Sequence, residues 1–496
     1  MRFPRRSILA GLLAAVAAPL WGQANGQAKR LAPGQSPLPE PRPDRGYGDG
    51  AEALIRLAKL GGEAAFAVAR LGAPVPLAAR HADVLMPPAS VAKTVTTLYA
   101  LEMLGPDHRF ETRVMRLGPL DNGQLRGDLV LVGGGDPNLD SDRLGDLVAA
   151  LAATGLRKVT GRFVVVDGAI PFRERLVPDQ PDHVGYNPAL SGLILNYNRV
   201  HFEWTRAGEG WTTTLEARGE RFRPAVVGVE VAIVDRDQPQ FTYARRDDID
   251  RWTVARSALN DAGSRWLPVR DPAGYAASAF RELARAQGID LPPPKFQATL
   301  PAGAEPVVSH LGEVLVKVLK SMLKFSNNLT AEVVGMTASG AGTLSGSGLV
   351  MTHWARRNLG VGVSLHDHSG LNSASRVSAR DMLTVMQRAK DLRHGAILED
   401  LMRETDLADA EGAAQKPAGT RVHAKSGTMN FVSGLAGYVR GADGQALAFA
   451  IFSGDLARRQ AVPIWDREDP QGSRSWVKRA RRLQGKLVAL WARNHL

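Results

Sequence analysis

The chain has 496 residues, of which 44% are hydrophobic and 23% charged, a composition typical of a globular protein. It contains no cysteine, which excludes disulfides, thiol nucleophiles, iron–sulfur clusters and cysteine-ligated zinc. Its formal net charge of +12 favours an anionic partner such as nucleic acid, an anionic membrane surface or an anionic polymer.

Residues 1–28 have the three parts of a secretory signal peptide. Met1–Arg6 carries three arginines, Ile8–Trp21 is apolar and uncharged, and Gly22-Gln23-Ala24 or Gly26-Gln27-Ala28 offers a small-x-small cleavage site. The apolar run is too short for a transmembrane span, although a buried N-terminal helix is an alternative. We therefore expect export to the periplasm or another extracytoplasmic space, by the Sec route or, because Arg5-Arg6 is present, by the twin-arginine route. Export counts against nucleic acid as a partner.

The rest of the chain predicts helices and antiparallel strands at both ends, with a different region between them. Residues 29–50 are rich in proline and read as an extended linker. Residues 51–105 and 301–496 are expected to form one domain, and residues 106–300 one or more inserted, mainly β accessory domains. The main predicted elements are a helix at Ala51–Leu60, a strand at Ala64–Arg70, a helix at Ala89–Leu104, strands at Asp128–Val132 and Arg162–Val166, helices at Asp142–Ala153 and Glu313–Lys324, and a hairpin of Val432–Val439 with Ala446–Phe452.

The first chemical signal is Ser90-Val91-Ala92-Lys93, at the start of a predicted helix. Residues i and i+3 share one helix face, so the hydroxyl and the amine are within hydrogen-bond reach. Serine needs an adjacent base to act as a nucleophile, and lysine serves as one if its pKa is lowered. By itself the pattern also fits an N-cap serine followed by a surface lysine.

Two further signals follow at a distance. Ser326-Asn327-Asn328 comes where the helix Glu313–Lys324 ends, and by itself also fits a helix cap. Lys425-Ser426-Gly427-Thr428 precedes a strand, and its glycine would let a ligand backbone lie close. By itself, Lys425-Ser426-Gly427-Thr428 also fits a polar strand end.

Together, in this order, the three signals resemble the S-x-x-K, S-x-N and K-[TS]-G motifs of the penicillin-recognising serine enzymes. The 236 residues from Ser90 to Ser326 resemble the spacing of one family, the low-molecular-mass class C penicillin-binding proteins. These proteins are D-alanyl-D-alanine carboxypeptidases/endopeptidases with domains inserted between the first two motifs. The segments Asp128–Leu139 and Gly185–Val200, and His368-Ser369-Gly370-Leu371-Asn372, are also similar to family segments. The resemblance implies an α+β fold, in which a penicillin-recognising domain has an antiparallel sheet with helices on both sides.

The resemblance also implies the mechanism and the ligands. Ser90 attacks the penultimate D-alanine carbonyl and Lys93 takes its proton, while Ser326 and Lys425 relay a proton to the leaving group. Asn328 holds the substrate amide and orients Lys93. Lys425, Ser426 and Thr428 bind the terminal carboxylate, and the N–H groups of Ser90 and Thr428, beside Gly427, form the oxyanion hole. The expected partners are peptidoglycan stem peptides ending in D-Ala-D-Ala, with β-lactams as covalent inhibitors. No metal or cofactor is expected.

Family members meet the free amine of diaminopimelate with an aspartate in the insert. The matching residues here are Asp167 and, five positions later, the aromatic Phe172. A turn-initiating Asp-Gly after a strand is an equally good interpretation of Asp167. Two departures from the family pattern weaken the assignment: Ser373 stands where an arginine is common, unless Arg376 substitutes, and Asn430 stands where a glutamine can occur.

Several other patterns are assigned structural roles. His366-Asp367-His368 reads as a polar loop and not a metal site, because no third ligand motif is near. Gly340–Gly348 fails the dinucleotide fingerprint and reads as a flexible connection. The basic helical stretch Trp476–Trp491 allows a weak contact with a membrane surface, but a last helix with a solvated basic face is the favoured interpretation.

Two other function classes stay open on the sequence. One is a non-catalytic peptidoglycan-binding protein of the same fold, against which the three intact motifs argue. The other is an exported β-lactamase or esterase of the superfamily, against which the long gap between the first two motifs argues.

Overall fold

A computed structural model describes residues 48–406 and 418–496, all of which belong to one compact unit. The predicted signal peptide at 1–28 and nearly all of the predicted linker at 29–50 lie outside the described residues. Within the two described ranges, no helix combines the length and the apolar character needed to cross a membrane.

A six-stranded antiparallel sheet combines strands from both ends of the chain. Val432–Arg440 and Ala446–Gly454 lie in its middle and are buried along almost their whole length, because helices cover both faces. Gly444, with a φ of 83°, forms the tight turn of the predicted hairpin between them. The strands run in the order Arg403–Glu404, Arg421–Met429, Val432–Arg440, Ala446–Gly454, Glu63–Arg70 and Ala78–Arg80.

Alternate residues of the sheet face two different helical layers. Phe66 packs against Trp491 with ring centroids 5.3 Å apart, on the face covered by helices Gly48–Ala58 and Ser473–His495. Ala65 and Ala67 face the opposite core. The helices of that layer are Ala89–Ala92 (a 3-10 turn), Lys93–Leu104, Leu315–Phe325, Asn328–Ser339, Leu344–Leu359, Ala379–Arg388 and Leu398–Leu401, with short turns at Ala389–Asp391 and Gly395–Ile397. The predicted α+β arrangement is confirmed.

The middle of the chain builds separate sheets around a second hydrophobic core. Its largest sheet has five strands, in the order Pro294–Gln297, Phe163–Val166, Asp128–Val132, Arg109–Leu117 and Glu305–Val314. Three smaller sheets contain Gly210–Glu216, Arg199–Ala207 and Ala262–Pro268; Val229–Val234, Ile249–Ala255 and Phe241–Arg246; and Leu120–Asp121, Gln124–Leu125 and Lys158–Val159. Helices Ser141–Ala153 and Pro272–Ala286 and the short turns Asn196–Asn198 and Arg256–Ala258 complete this region. Because Glu305–Val314 pairs with Arg109–Leu117, we propose that the inserted region extends from residue 106 to about residue 314.

One predicted connection is wrong. Gly340–Gly348 is not a flexible link throughout, because helix Leu344–Leu359 begins within it. The Thr343 hydroxyl caps this helix by accepting a hydrogen bond of 3.1 Å from the Gly346 N–H. Gly348 packs against the backbone of His366, where a Cβ atom would lie only 2.7 Å from the carbonyl carbon. Gly348 therefore serves the close packing of this helix, whereas Gly340 and Gly342 lie in open space.

Candidate active site

Ser90 lies in the 3-10 turn Ala89–Ala92, which leads directly into helix Lys93–Leu104. Ala89 takes a positive φ of 45°, so the chain bends sharply just before the serine. Val91 and Ala92 are fully buried, whereas Ser90 is partly exposed. The turn therefore holds Ser90 on a packed base and leaves its hydroxyl accessible.

Lys93 lies beneath Ser90 and is completely buried. Its Nζ donates to Ser90 Oγ at 2.9 Å, to Asn328 Oδ1 at 2.7 Å and to the Ser369 carbonyl at 2.8 Å. Burial, helped by the charge of Lys425, holds the pKa of Lys93 well below 10.5. A buried lysine with a lowered pKa can give up its proton and act as a base.

The second motif occupies a break between two helices. Ser326 ends helix Leu315–Phe325 in the left-handed conformation, with a φ of 57°. Asn327 caps the next helix, since its Oδ1 accepts a hydrogen bond of 3.0 Å from the Thr330 N–H. The capping interpretation thus holds for Asn327. The sharp reversal leaves Ser326 and Asn328 free to face the lysines of the other two motifs.

Lys425 stands opposite Ser326 on the strand Arg421–Met429, which we call the active-site strand. Its Nζ donates to Ser326 Oγ at 3.0 Å and to the Ser426 carbonyl at 2.7 Å. The side chain is almost fully buried, and burial lowers the pKa of Lys425 to about 8. At neutral pH Lys425 therefore keeps a proton that it can lose within a small pH range.

Gly427 allows the active-site strand to approach Ser90 closely. A Cβ atom at this position would lie 2.8 Å from the Pro88 carbonyl oxygen and 2.9 Å from the backbone nitrogens of Ser90 and Val91. These contacts are with backbone, which cannot easily move, so only glycine fits. The Ser426 and Thr428 side chains alternate with it and are exposed.

A cavity of about 400 Å³ opens beside Ser90. The three motifs contribute Ser90, Ser326, Asn328 and Thr428 to its wall. The remaining lining residues include Gln180 and Tyr186 from the middle of the chain, and Asn430, Arg459, Arg467, Glu468, Asp469, Ser473 and Arg474 from the C-terminal part. A peptide that places a carbonyl at Ser90 would therefore meet charged side chains of both signs.

Asp167 and Phe172 do not line this cavity. Asp167 follows the strand Phe163–Val166, as expected, and is partly buried; burial raises the pKa of its carboxyl group, and the nearby charge of Asp271 adds to the rise. Among the described residues, no cation forms a salt bridge with Asp167. The Phe172 side chain is 60% exposed.

The two departures from the family pattern have structural roles of their own. The Arg376 guanidinium donates to the carbonyl oxygens of Ser373 and Ser375, at 2.6 and 2.9 Å, so it braces its own loop. The Asn430 side chain donates to the Arg467 carbonyl, and its Oδ1 accepts from the Ser473 hydroxyl.

The sequence interpretation missed the buried polar network behind Lys93. The Glu332 carboxylate accepts hydrogen bonds of 2.9 Å from the N–H groups of His368 and Ser369. Burial, together with the neighbouring charge of Asp367, raises the pKa of Glu332 to about 8. This anchoring holds the Ser369 carbonyl where it accepts from Lys93. The available signal was a carboxylate one helical turn after Asn328, within an otherwise mostly apolar helix.

His366-Asp367-His368 is a loop of polar residues, as predicted, and it packs into the interior of the protein. Asp367 and His368 are both fully buried. Burial lowers the pKa of His368 to about 3, so the ring is neutral, and its Nε2 lies 2.6 Å from the Ser347 hydroxyl. The segment thus forms part of the packing around the site.

One cluster in the described ranges has the spacing of a metal site, formed by His201, Glu203 and Glu216 in the middle of the chain. Both carboxylates form salt bridges with the guanidinium of Arg218. The Arg218 guanidinium already neutralises both carboxylates in place of a metal ion, so we interpret the cluster as an ion-pair network.

The site combines a serine hydrogen-bonded to a buried lysine, a second serine–lysine pair and an asparagine. This set, between a helical layer and the edge of an antiparallel sheet, defines a penicillin-recognising serine enzyme. Residues 51–466 match the D-Ala-D-Ala carboxypeptidase 3 (S13) family. The chain belongs to this family, and it is a low-molecular-mass class C penicillin-binding protein, as its motifs predict.

Individual relatives agree with this assignment. The D-alanyl-D-alanine carboxypeptidase of Actinomadura sp. (strain R39) is 31% identical over 400 residues, which cover 73% of this chain and 72% of the relative. The D-alanyl-D-alanine carboxypeptidase DacB of Haemophilus influenzae is 24% identical over 416 residues, covering 76% and 83% of the two chains. The crystal structure of penicillin binding protein 4 (dacB) from Haemophilus influenzae matches with a TM-score of 0.71 at 20% identity, over 88% of this chain and 99% of that one. The prediction of a serine-type D-Ala-D-Ala carboxypeptidase/endopeptidase acting on peptidoglycan is confirmed.

Proposed function

We propose that Ser90 is the nucleophile of this enzyme and that Lys93 is its general base. The observation that carries the proposal is the hydrogen bond of 2.9 Å between Lys93 Nζ and Ser90 Oγ, made by a fully buried lysine. The lowered pKa of Lys93 supports the same role, because a neutral amine has a lone pair for the serine proton.

In the acylation step, Ser90 Oγ bonds to the carbonyl carbon of the penultimate D-alanine and its proton passes to Lys93. The C–N bond to the terminal D-alanine breaks, and the leaving nitrogen takes the proton of the Ser326 hydroxyl. Lys425 replaces that proton along its 3.0 Å hydrogen bond to Ser326 Oγ. The pKa of about 8 for Lys425 suits a group that must give up and regain a proton near neutral pH.

In the deacylation step, water attacks the ester carbon. One water proton returns to Lys425 through Ser326, and Ser90 Oγ recovers its own proton from Lys93. The free enzyme and a shortened peptide result, with no cofactor in the cycle.

Binding groups surround the reacting carbonyl. The close approach of Gly427 to the Ser90 nitrogen supports an oxyanion hole formed by the N–H groups of Ser90 and Thr428. A single donor in such a hole contributes about 3–4 kcal/mol to transition-state stabilisation. Lys425, Ser426 and Thr428 receive the terminal carboxylate, and Asn328 holds the substrate amide while it orients Lys93.

We also propose β-lactams as covalent inhibitors that acylate Ser90. Their strained amide and carboxylate offer the same two groups as the D-Ala-D-Ala end. The Haemophilus influenzae penicillin binding protein 4, whose structure has been solved in complex with a β-lactam, shares this fold.

Asp167 and Phe172 are proposed to contact the stem peptide beyond the reacting bond. The absence of a salt-bridge partner for Asp167 among the described residues leaves its carboxylate available for the free amine of diaminopimelate. The exposed ring of Phe172 offers an apolar contact for the same side chain.

The proposed location is the periplasm or another extracytoplasmic space, reached through the N-terminal signal peptide. This location provides peptidoglycan and excludes nucleic acid. The C-terminal helix Ser473–His495 has seven lysines and arginines and no acidic residue, which would allow a weak contact with an anionic membrane surface.

Two measurements test the proposed activity. The first is covalent labelling of the purified protein with a fluorescent penicillin, and the second is mass spectrometry of its products from a purified, cross-linked muropeptide. We expect labelling, loss of D-alanine from the pentapeptide and cleavage of the cross-link. A protein that neither labels nor changes the muropeptide would contradict the proposal.

A further inference from the structure

The C-terminal helix Ser473–His495 contacts the active-site strand through one arginine. Arg481 donates a hydrogen bond of 3.0 Å to the Thr428 hydroxyl. Arg481 and Thr428 are both exposed, so this contact lies at the protein surface and is open to a ligand. The arginine thus reaches the third motif from an element that contributes no motif residue.

The hydroxyls of Ser426 and Thr428 alternate along the strand on its exposed face, with Gly427 between them. Hydroxyl groups can each donate one hydrogen bond to a carboxylate, but they carry no charge. A carboxylate bound only there would lack a cation on that face of the strand.

Lys425 is the nearest cation on the strand, but its positive charge is only partly available to a bound carboxylate. Its ammonium is buried and already donates to Ser326 Oγ and the Ser426 carbonyl. With a pKa of about 8, it also shares its proton with the proposed relay.

Two of the arginines that line the cavity form salt bridges. Arg467 pairs with Asp179 at 3.0 Å, and Arg474 pairs with Asp469 at 2.7 Å. Arg459 donates to the Asn430 carbonyl at 3.3 Å. Arg481, like Arg459, has no carboxylate partner in the described parts of the chain, but Arg481 is the more exposed of the two. Its hydrogen bond to Thr428 uses one of the five donors of a guanidinium.

We propose that Arg481 binds the carboxylate of the residue that leaves in the reaction, together with the hydroxyls of Ser426 and Thr428, and so selects substrates with a free carboxylate at that residue. The inference rests on the proposed function, since it places the substrate along the active-site strand. A guanidinium fits a carboxylate with two parallel hydrogen bonds, which a lysine cannot reproduce.

The test compares two acyl donors, diacetyl-L-Lys-D-Ala-D-Ala and its C-terminal amide. The kcat/KM for each is measured in wild type, Arg481→Gln, Arg481→Lys and Arg482→Gln. Arg482 is the matched control, because it neighbours Arg481 on the same helix, is exposed and has no salt bridge in the described ranges. Thermal unfolding checks that each variant is folded.

Wild type and Arg482→Gln should prefer the acid to the amide by the same factor. Arg481→Gln should lose about ten- to a hundred-fold in kcat/KM on the acid, as expected for a hydrogen bond to a charged group, and far less on the amide. The preference for the acid should therefore collapse, and Arg481→Lys should retain part of it.

If the ratio of kcat/KM for the acid to kcat/KM for the amide is the same in Arg481→Gln as in wild type, the inference is overturned. If Arg481→Gln fails to fold, an unchanged ratio in Arg481→Lys overturns it. Failure of the proposed function gives a different result. In that case wild type and Arg482→Gln would hydrolyse neither peptide and would not react with penicillin.

Discussion

Lys93 Nζ donates a hydrogen bond of 2.7 Å to Asn328 Oδ1, although 235 residues separate the two along the chain. The Asn328 side-chain nitrogen in turn donates 3.0 Å to the carbonyl of Tyr186, which lies in the middle region. One carboxamide therefore connects the proposed base with the inserted region. The geometry of the base depends on how the region between the first two motifs folds back on the helical layer.

Replacing Ser90, the proposed nucleophile, should abolish acylation without unfolding the protein. Ser90→Ala removes one oxygen atom from a partly exposed position, so thermal unfolding should change little. Labelling by a fluorescent penicillin should disappear. Ser345→Ala is the control, since Ser345 is an exposed serine on another helix. Labelling that survives in Ser90→Ala would remove Ser90 from the nucleophile position.

The rate of acylation should fall as the pH rises above about 8. Burial lowers the pKa of Lys425 to about 8, so the proton that it supplies to Ser326 is lost above that pH. The pKa of Lys93 is also lowered by burial, which favours the neutral form that the proposed base needs, so protonation of Lys93 should slow acylation only at lower pH. The measurement is the pH dependence of kcat/KM for penicillin acylation.

The Lys425→Arg variant tests whether the charge of Lys425 or the shape of its side chain controls the pH dependence of acylation. Arginine stays charged at high pH, so the alkaline fall should move upward while the maximal rate drops, because the guanidinium has a different shape. Lys320→Arg, at an exposed lysine, should leave the profile unchanged. If the rate of acylation still falls near pH 8 in Lys425→Arg, the titration of another group causes that fall.

A methyl group at Gly427 should move the active-site strand away from Ser90. Its Cβ would come within 2.8–2.9 Å of three backbone atoms around Ser90, so the strand must shift. We expect Gly427→Ala to lower the rate of penicillin acylation strongly. Gly342→Ala is the matched control, because nothing lies within 4 Å of a Cβ there. Equal acylation rates in the two variants would show that the close approach is unimportant.

The sequence predicted the elements and the motif residues well where the signal was local. The helix at Lys93–Leu104 follows from apolar periodicity and the strand at Asp128–Val132 from a short continuous apolar run, and the hairpin turn follows from Asp443-Gly444. The spacing of the three motifs identified the family. These features depend on residues that are close in sequence or on a recognisable pattern.

The remaining parts of the site depend on contacts between distant segments. Nothing in the local sequence shows that Arg481 reaches Thr428, 53 residues away, or that Glu332 anchors Ser369. The helix that begins within Gly340–Gly348 is missed for the same reason, because Gly348, which packs closely against His366, looks in sequence like a glycine of a flexible link. Burial of His368 is likewise set by packing, not by its neighbours in sequence.

Glu332 should make the stability of the protein fall as the pH rises. Its pKa is about 8 in the folded state and near 4.5 when unfolded, so the folded state binds the extra proton between these values. The contribution of Glu332 to the free energy of unfolding is therefore fully present below pH 4.5 and is lost as the pH rises through about 8. Glu332→Gln removes the titration, so its free energy of unfolding in urea should depend less on pH than that of wild type.

Glu332→Gln should also be less stable than wild type at mildly acidic pH. One carboxamide oxygen replaces two acceptors for the N–H groups of His368 and Ser369, and a buried donor without a partner costs about 1–3 kcal/mol. Glu220→Gln, at an exposed carboxylate, is the control. Parallel pH profiles for Glu332→Gln and wild type would contradict a raised pKa.

The last prediction concerns Asp167 and the amine of the substrate. Burial raises the pKa of Asp167, and the described residues provide no salt-bridge partner for it, so a substrate ammonium would be its first close counter-ion. A peptide with a free diaminopimelate amine should therefore be hydrolysed faster than its acetylated analogue. An exposed ion pair contributes about 0.2–1 kcal/mol, which corresponds to at most about fivefold in rate, and a desolvated pair contributes more.

Asp167→Asn should reduce this preference for the free amine, because the carboxamide keeps the shape and removes the charge. Asp469→Asn is the informative comparison, since Asp469 lines the cavity beside Ser90 whereas Asp167 does not. The kcat/KM for both peptides is measured in wild type and in each variant. If acetylation slows wild type and Asp167→Asn by the same factor, Asp167 is only a turn residue. If the preference for the free amine is lost in Asp469→Asn instead, the amine is bound inside the cavity. A carboxylate distinguishes an ammonium from a neutral amide only when it lies within a few ångströms of it.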